Sequence, residues 1–182
     1  MEQTIEIRAA VEADVPAITE IYGQDVLSNV SSWELTPPDQ AEMRRRFRDL
    51  QAQNYPYLVA VRDDRVLGYA FASAYRPRPA YRYTVENTIY LRPDARGQGI
   101  SQSLLRHLID ACTDAGFRQM LAVIGDSNNQ PSIRFHEKMG FRHAALLADI
   151  GWKFERWLDG VVMQLPLGEG GNTPPKDTET VG

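Results

Sequence analysis

The sequence predicts a single domain of mixed α/β class, and three observations carry that prediction. Short apolar, β-branched runs and helix-patterned segments follow one another in the order βααβββαβαββ, which is not the regular alternation of a doubly wound sheet. A length of 182 residues with 43% hydrophobic content suits one domain of ordinary size with a sizeable core. Near the middle of the chain, the run Thr88-Ile89-Tyr90-Leu91 leads through a glycine-bearing turn, Arg96-Gly97-Gln98-Gly99-Ile100-Ser101, into a helix pattern over 103–115.

The elements follow in order. Residues 4–8 alternate polar and apolar around Ile5 and Ile7 and read as a strand. Asp14 is placed to cap a helix with Pro16 in its first turn and Ile18, Ile21, Tyr22 and Val26 along its apolar stripe. Pro37-Pro38-Asp39 starts a second helix carrying Met43, Phe47 and Leu50. Strands over 57–62 and 66–75 flank the turn Asp63-Asp64-Arg65, and Pro77 and Pro79 break the chain before a strand over 83–91. The central helix stops at Gly116, a C-cap residue. A β-like stretch over 119–124, a short helix over 132–139 ending at Gly140, and strands over 141–147 and 160–167 complete the order. There are no repeats and no second domain. After Leu167 the chain has almost nothing to bury, so a domain over 1–167 and a disordered tail over 168–182 are expected.

Composition removes several functional classes. A net charge of −4 argues against nucleic acid as the main partner. Arg44-Arg45-Arg46 lies in a helix-patterned segment and reads as a solvated face. The single cysteine, Cys112, falls on the apolar side of the 103–115 helix and reads as a buried structural thiol. No apolar run approaches the ~20 residues that span a bilayer. The first residues lack a basic region followed by an apolar one. No membrane partner is therefore expected, and the cytoplasm is the expected location.

A strand, a glycine turn and a helix start together make an anion site. The first turn of a helix has backbone N–H groups without partners, its dipole makes that end positive, and glycines let the backbone approach a phosphate. The glycine spacing matches neither a P-loop nor a Rossmann fingerprint. Alone, it also fits an ordinary turn between a strand and a helix.

A second motif narrows the choice. The turn resembles the phosphate loop of the GNAT superfamily of acetyl-CoA-dependent N-acetyltransferases. The later stretch Asn129-Gln130-Pro131-Ser132-Ile133-Arg134-Phe135-His136-Glu137-Lys138-Met139-Gly140-Phe141 resembles that family's second signature. The element order is similar to the GNAT fold over residues 4–167. The phosphinothricin and methionine sulfoximine acetyltransferase subgroup looks similar in further places: Thr84-Val85-Glu86-Asn87-Thr88-Ile89-Tyr90, Arg76-Pro77, Trp33, His136, and Lys153-Phe154-Glu155-Arg156-Trp157-Leu158-Asp159. Ser101, where the family has Gly or Ala, and Arg78-Pro79 depart from the pattern.

The resemblance implies a single GNAT-like domain whose mostly antiparallel sheet is splayed to hold acetyl-CoA, with helices on both faces and no metal. It implies that the diphosphate sits on the loop and helix start formed by Arg96, Gly97, Gln98, Gly99, Ile100, Ser101 and Gln102. The pantetheine arm would pair with Ile89, Tyr90 and Leu91, aided by a bulge in their strand and by Asn129, which also suits a plain helix cap. Glu86 is the candidate base for the acceptor amine; the alternative is an exposed strand residue paired with Arg82 or Arg78. His136 is the candidate acid or thiolate-positioning group, or a structural histidine. Arg76 and Arg78 are candidates to clamp an acceptor carboxylate, beside Pro77, or are solvated loop residues. Trp33 and Tyr81 are candidate pocket walls or core, and Asn87 and Thr88 candidate contacts to the acceptor's polar end. The expected function is acetylation of the α-amino group of a small amino acid analogue of the phosphinothricin, methionine sulfoximine or methionine sulfone type. The subgroup also implies a homodimer. The alternatives are a GNAT acting on another amine, or an acetyl-CoA-binding sensor without catalysis.

Overall fold

Alternation along the middle strands decides the architecture. Along β2 (Tyr57–Arg62) and β3 (Arg65–Ala74), Tyr57, Val59, Val61 and Tyr69 face one way, while Ala60, Leu67, Ala70 and Ala72 face the other. A sheet that is apolar on both faces must be covered on both. In this computed structural model, which describes residues 4–175, α1 (Val15–Ser28) and α2 (Gln40–Ala52) cover the first face through Val15, Ile18, Ile21, Met43 and Phe47. The second face is covered by α3 (Ile100–Asp114) through Leu104, Leu105, Leu108 and Cys112, with Ile133 of α4 (Gln130–Lys138) beside them. Cys112 is fully buried, as its place on the helix predicts, and burial pushes its thiol up to about 12.

The seven strands lie in the order β1-β2-β3-β4-β5-β7-β6, with β1 (Glu6–Ala9) and β6 (Arg142–Lys153) at the edges and β7 (Arg156–Pro166) beside β5. Every junction is antiparallel except that of β4 (Thr84–Leu91) with β5 (Gln119–Gly125), which α3 connects as a crossover. That parallel ladder is short: Thr84, Val85 and Glu86 pair with Gln119, Met120 and Leu121. Beyond Glu86 the two strands part, so the sheet is splayed as the family resemblance implies.

The structure corrects the sequence reading in several places. Helix α3 begins at Ile100 rather than 103, directly after Gly99 at φ +77. β6 and β7 run on to Lys153 and from Arg156, beyond the strands expected over 141–147 and 160–167, as one long hairpin. Its turn is Phe154-Glu155, both left-handed at φ +53 and +56. Such a turn ordinarily announces itself by Asn-Gly or Asp-Gly. Asp63-Asp64 adopts the same conformation at φ +51 and +59, and was legible because Asp tolerates it. Not all of the expected tail is loose. Arg118 donates to the carbonyls of Gly170 and Thr173, and Gly170 N–H donates to Leu167 O. The remainder, 176–182, lies outside the described residues.

Candidate active site

Backbone conformation leaves the loop before α3 open around its glycines. Gly97 and Gly99 both take positive φ, +76 and +77, and no atom stands within 4 Å of where their β-carbons would be. Gly99 caps α3 without a side-chain hydrogen bond, so the first-turn N–H groups of Ile100, Ser101 and Gln102 face outward without a helix partner. Ile100 is buried and anchors the turn, while Arg96, Gly97, Gln98 and Gly99 are exposed. The Gln98 side chain ties the loop back, donating to Asp94 O at 2.9 Å and accepting from Arg62 at 3.1 Å. Free N–H groups at the positive end of a helix, on a loop open to a ligand, fit a diphosphate.

The seam between β4 and β5 continues from this loop. Ile89, Tyr90 and Leu91 pair regularly with Ala70, Tyr69 and Gly68 of β3. The bulge expected in β4 is therefore absent from its ladder with β3. The backbone edge that faces β5 is open because the strands diverge, not because the strand kinks.

Where backbone pairing ends, a side chain spans the gap. Asn87, buried in β4, donates from its amide to Leu121 O of β5 at 3.1 Å and turns its Oδ1 toward His136 Nε2 at 3.4 Å. His136, buried on α4, places Nδ1 2.9 Å from Ser132 O. A carbonyl only accepts, so Nδ1 carries the hydrogen. Nε2 then faces a second acceptor, an arrangement that favours a proton there as well. Burial opposes it and holds the imidazole below its ordinary pKa, and the Ser132 bond only partly restores it. Both polar atoms of the Asn87 amide thus have partners within the chain, on Leu121 and His136.

Glu86 is half-buried at the point of divergence, and burial raises its carboxyl above the ordinary value. The expected alternative, a pair with Arg78 or Arg82, is not what the structure shows: the Arg82 guanidinium lies over the Tyr83 ring at 4.6 Å. Glu86, Asn87, Thr88, Ile89, His136 and Asn129 all line one cavity of about 320 Å³. Asn129 also caps α4, its Oδ1 accepting from Ser132 N–H at 3.4 Å.

Opposite the seam, the cavity is closed by the loop between α1 and α2. Trp33 lines it with Ser31 and Ser32, as expected for a wall. Arg76, Pro77, Arg78 and Tyr81 are not brought to this cavity. They lie on the exposed loop between β3 and β4, where Arg76 stacks over Tyr75 at 5.2 Å and Tyr81 meets the same ring edge-on. The cation that does reach the cavity is Arg46, which the sequence reading assigned to a solvated face. Its guanidinium donates to Glu34 and Glu42, and Glu34 also accepts from the Tyr22 hydroxyl at 2.9 Å. Arg44 and Arg45 pair outside with Glu12, Glu42 and Asp49, as a surface face does. An aromatic floor of Tyr57, Tyr69 and Phe71, stacked at 4.8 to 6.3 Å, was also missed as site lining. Its strand pattern reads as core, and nothing local distinguishes a cavity floor from core.

The arrangement as a whole sets an exposed glycine loop at a helix start, an open strand edge, a half-buried carboxyl and a buried imidazole near one seam. Among the described residues, no group of three or more His, Cys, Asp or Glu is placed to hold a metal ion. No helix there is long and apolar enough to cross a membrane.

Comparison with known proteins finds relatives over most of the chain. The Acetyltransferase (GNAT) family matches residues 24–141. A phosphinothricin N-acetyltransferase of Alcaligenes faecalis is 46% identical over 170 residues, 93% of this chain and 86% of that one. An L-methionine sulfoximine/L-methionine sulfone acetyltransferase of Pseudomonas aeruginosa is 40% identical over 162 residues, 88% of this chain and 94% of that one. Among solved structures, a GNAT superfamily phosphinothricin acetyltransferase from Sinorhizobium meliloti in complex with acetyl-CoA superposes with a TM-score of 0.92 at 49% identity, covering 97% of this chain and 95% of that one.

Proposed function

Because this chain belongs to the GNAT family of acetyl-CoA-dependent N-acetyltransferases, we propose that it acetylates the α-amino group of a small amino acid analogue with a tetrahedral sulfoximine, sulfone or phosphinate group. The observation that carries this reading is the meeting of the open β4 edge, Glu86 and His136 in one cavity of about 320 Å³, the size of a small ligand. The named acceptors of the relatives in Alcaligenes and Pseudomonas support the substrate class.

Acetyl-CoA, when bound, supplies the acetyl group as a thioester. The loop from Arg96 to Gln102 holds its diphosphate with backbone N–H groups, and the free edge at Ile89, Tyr90 and Leu91 aligns its arm. A free N–H of that edge is placed to stabilise charge on the thioester oxygen as attack proceeds. An α-ammonium group is not a nucleophile, so Glu86 removes its proton, directly or through one water. The raised pKa of Glu86 brings it closer to that of the proton it must accept. His136, its Nδ1–H held by Ser132 O and its ring oriented by Asn87, positions the departing thiolate, which takes up the proton that the attacking nitrogen sheds. Trp33 and Thr88 bound the acceptor, and the aromatic floor accepts its apolar side chain.

Thiol release from acetyl-CoA tests the reading. The acceptors are methionine sulfoximine, methionine sulfone, phosphinothricin, methionine, spermidine and a short peptide. Release with the first three and little with the rest is expected. Release with the peptide or spermidine alone assigns another amine, and acetyl-CoA binding without release from any acceptor leaves a sensor.

The functional unit in this proposal is a cytoplasmic homodimer. The reliance on acetyl-CoA and one unpaired buried cysteine support the location. The dimer is supported by edge strand β6 and its hairpin, which present Leu146, Ile150, Trp152, Phe154 and Trp157 to solvent, Trp157 at 58% exposure. A bare apolar edge is a template for pairing, and a second copy presents the same surface. Sedimentation velocity should give a dimer, and Trp157→Glu a monomer; a wild-type monomer at micromolar concentration overturns this part.

A further inference from the structure

We propose that the end of the β6–β7 hairpin, residues 148–159, is a brace that sets the acceptor wall of the cavity, with Lys153 as its positioning residue. The inference rests on the reading that this cavity receives the acceptor.

Lys153 is the anomaly that points to it. It sits next to the hairpin turn among exposed neighbours, yet it is only 4% exposed. A buried ammonium is costly unless its hydrogens find acceptors. Here Nζ donates to Asn29 O and to Ser32 O, both at 2.8 Å. Those two carbonyls bracket the loop that carries Ser31, Ser32 and Trp33 into the cavity. The acidic groups whose fields reach the ammonium are Asp25 at the end of α1 and Glu34 in the cavity wall. Asp25 also accepts from the Asn29 side chain at 2.9 Å, fixing the start of the same loop.

The hairpin supports the indole from below as well. A β-carbon on Gly151 would stand 2.0 Å from Trp33 Cζ3 and 2.5 Å from Cε3, so the ring lies directly on that backbone. Across the ladder from Lys153, Arg156 pairs with buried Asp126. Asp159 accepts from the Ser127 hydroxyl, and its carbonyl accepts from Asp126 N–H at 2.8 Å. Residues 126–129 lead from the end of β5 to Asn129, on the opposite wall. One hairpin therefore grips both sides of the cavity mouth, from about 120 residues away in sequence on the Trp33 side. The loop over 29–34 has no regular structure to hold it, and long-range bonds of this kind are what set the position of such a segment.

Two variants of the full chain test the brace. Lys153→Met leaves both carbonyls without their donor. The expected result is a rise of about 10-fold or more in KM for methionine sulfone, with KM for acetyl-CoA within about 2-fold of wild type. Amide exchange over 29–34, measured with acetyl-CoA bound, should quicken by about 10-fold while exchange in α3 is unchanged. Gly151→Ala should raise the acceptor KM in the wild-type background but not in Trp33→Ala, where the clash is gone. Unchanged exchange over 29–34, a parallel rise in both KM values, or an equal Gly151→Ala effect in both backgrounds would overturn the proposal. If wild type turns over no sulfone, it is the functional reading that fails, and the exchange measurement still decides the brace.

Discussion

Glu86→Gln lowers kcat on an amine acceptor by about 100-fold or more, the scale of a general base, while KM for acetyl-CoA holds. The substitution keeps shape and hydrogen bonding and removes only the ability to take a proton. The pH profile distinguishes this from damage. Burial raises the Glu86 pKa, so the base form is gained as pH climbs through a value above the ordinary carboxylate one. Wild-type kcat/KM therefore has an acid limb there, and Glu86→Gln lacks it. Stability runs the other way. A carboxyl whose folded pKa is raised binds its proton more tightly when folded, so its contribution is present at low pH and is lost as pH rises through the raised value. Glu86→Gln should accordingly be no less stable than wild type at neutral pH. Rates like wild type across pH 6 to 9 would remove Glu86 from the chemistry.

Gly99→Val weakens acetyl-CoA binding by about 10-fold or more, read by calorimetric titration. At φ +77 an L-residue carries a penalty of about 1–2 kcal/mol, and a β-branched one more. No protein atom lies within 4 Å of the added carbon, so the remaining space it fills is the space proposed for the diphosphate. Gly116→Val is the matched control. Gly116 has φ +88, equally open surroundings, and a place at the other end of α3. Both variants should lower Tm by comparable amounts, but only the first should loosen acetyl-CoA. Equal affinities in the two would move the diphosphate off this loop.

The parts legible in the sequence are those whose cause is local. Strand alternation around Val59 and Tyr69, the start of α2 after Asp39, the Asn129 cap and the glycine turn before α3 each follow from a few neighbouring residues, and each stands where it was expected, whereas Asp14, expected to cap α1, turns its carboxylate to Arg8 and Val11 N–H. Glu86 and His136 were singled out through the resemblance, and both line the cavity at the seam. What escaped was set by partners far along the chain. Arg46 sits in a basic run that is otherwise surface, and Glu34, itself held by the Tyr22 hydroxyl, turns it inward. The hairpin end failed to register because Phe154-Glu155 makes a tight turn without glycine, and because Gly151 is shaped by an indole more than a hundred residues earlier. Arg76 and Arg78 have carboxylate-binding chemistry, but they are exposed and do not line the cavity.

The three-residue parallel ladder between β4 and β5 has a thermodynamic consequence. Backbone pairing across that seam is the shortest of any junction in the sheet. In the proposed binding mode, a co-substrate lying in the gap supplies the missing rungs. At 100 times its dissociation constant it adds about 2.7 kcal/mol to the folded state. The resistance of this chain to unfolding therefore follows its acetyl-CoA supply, and the occupied and empty forms differ in lifetime as well as in chemistry.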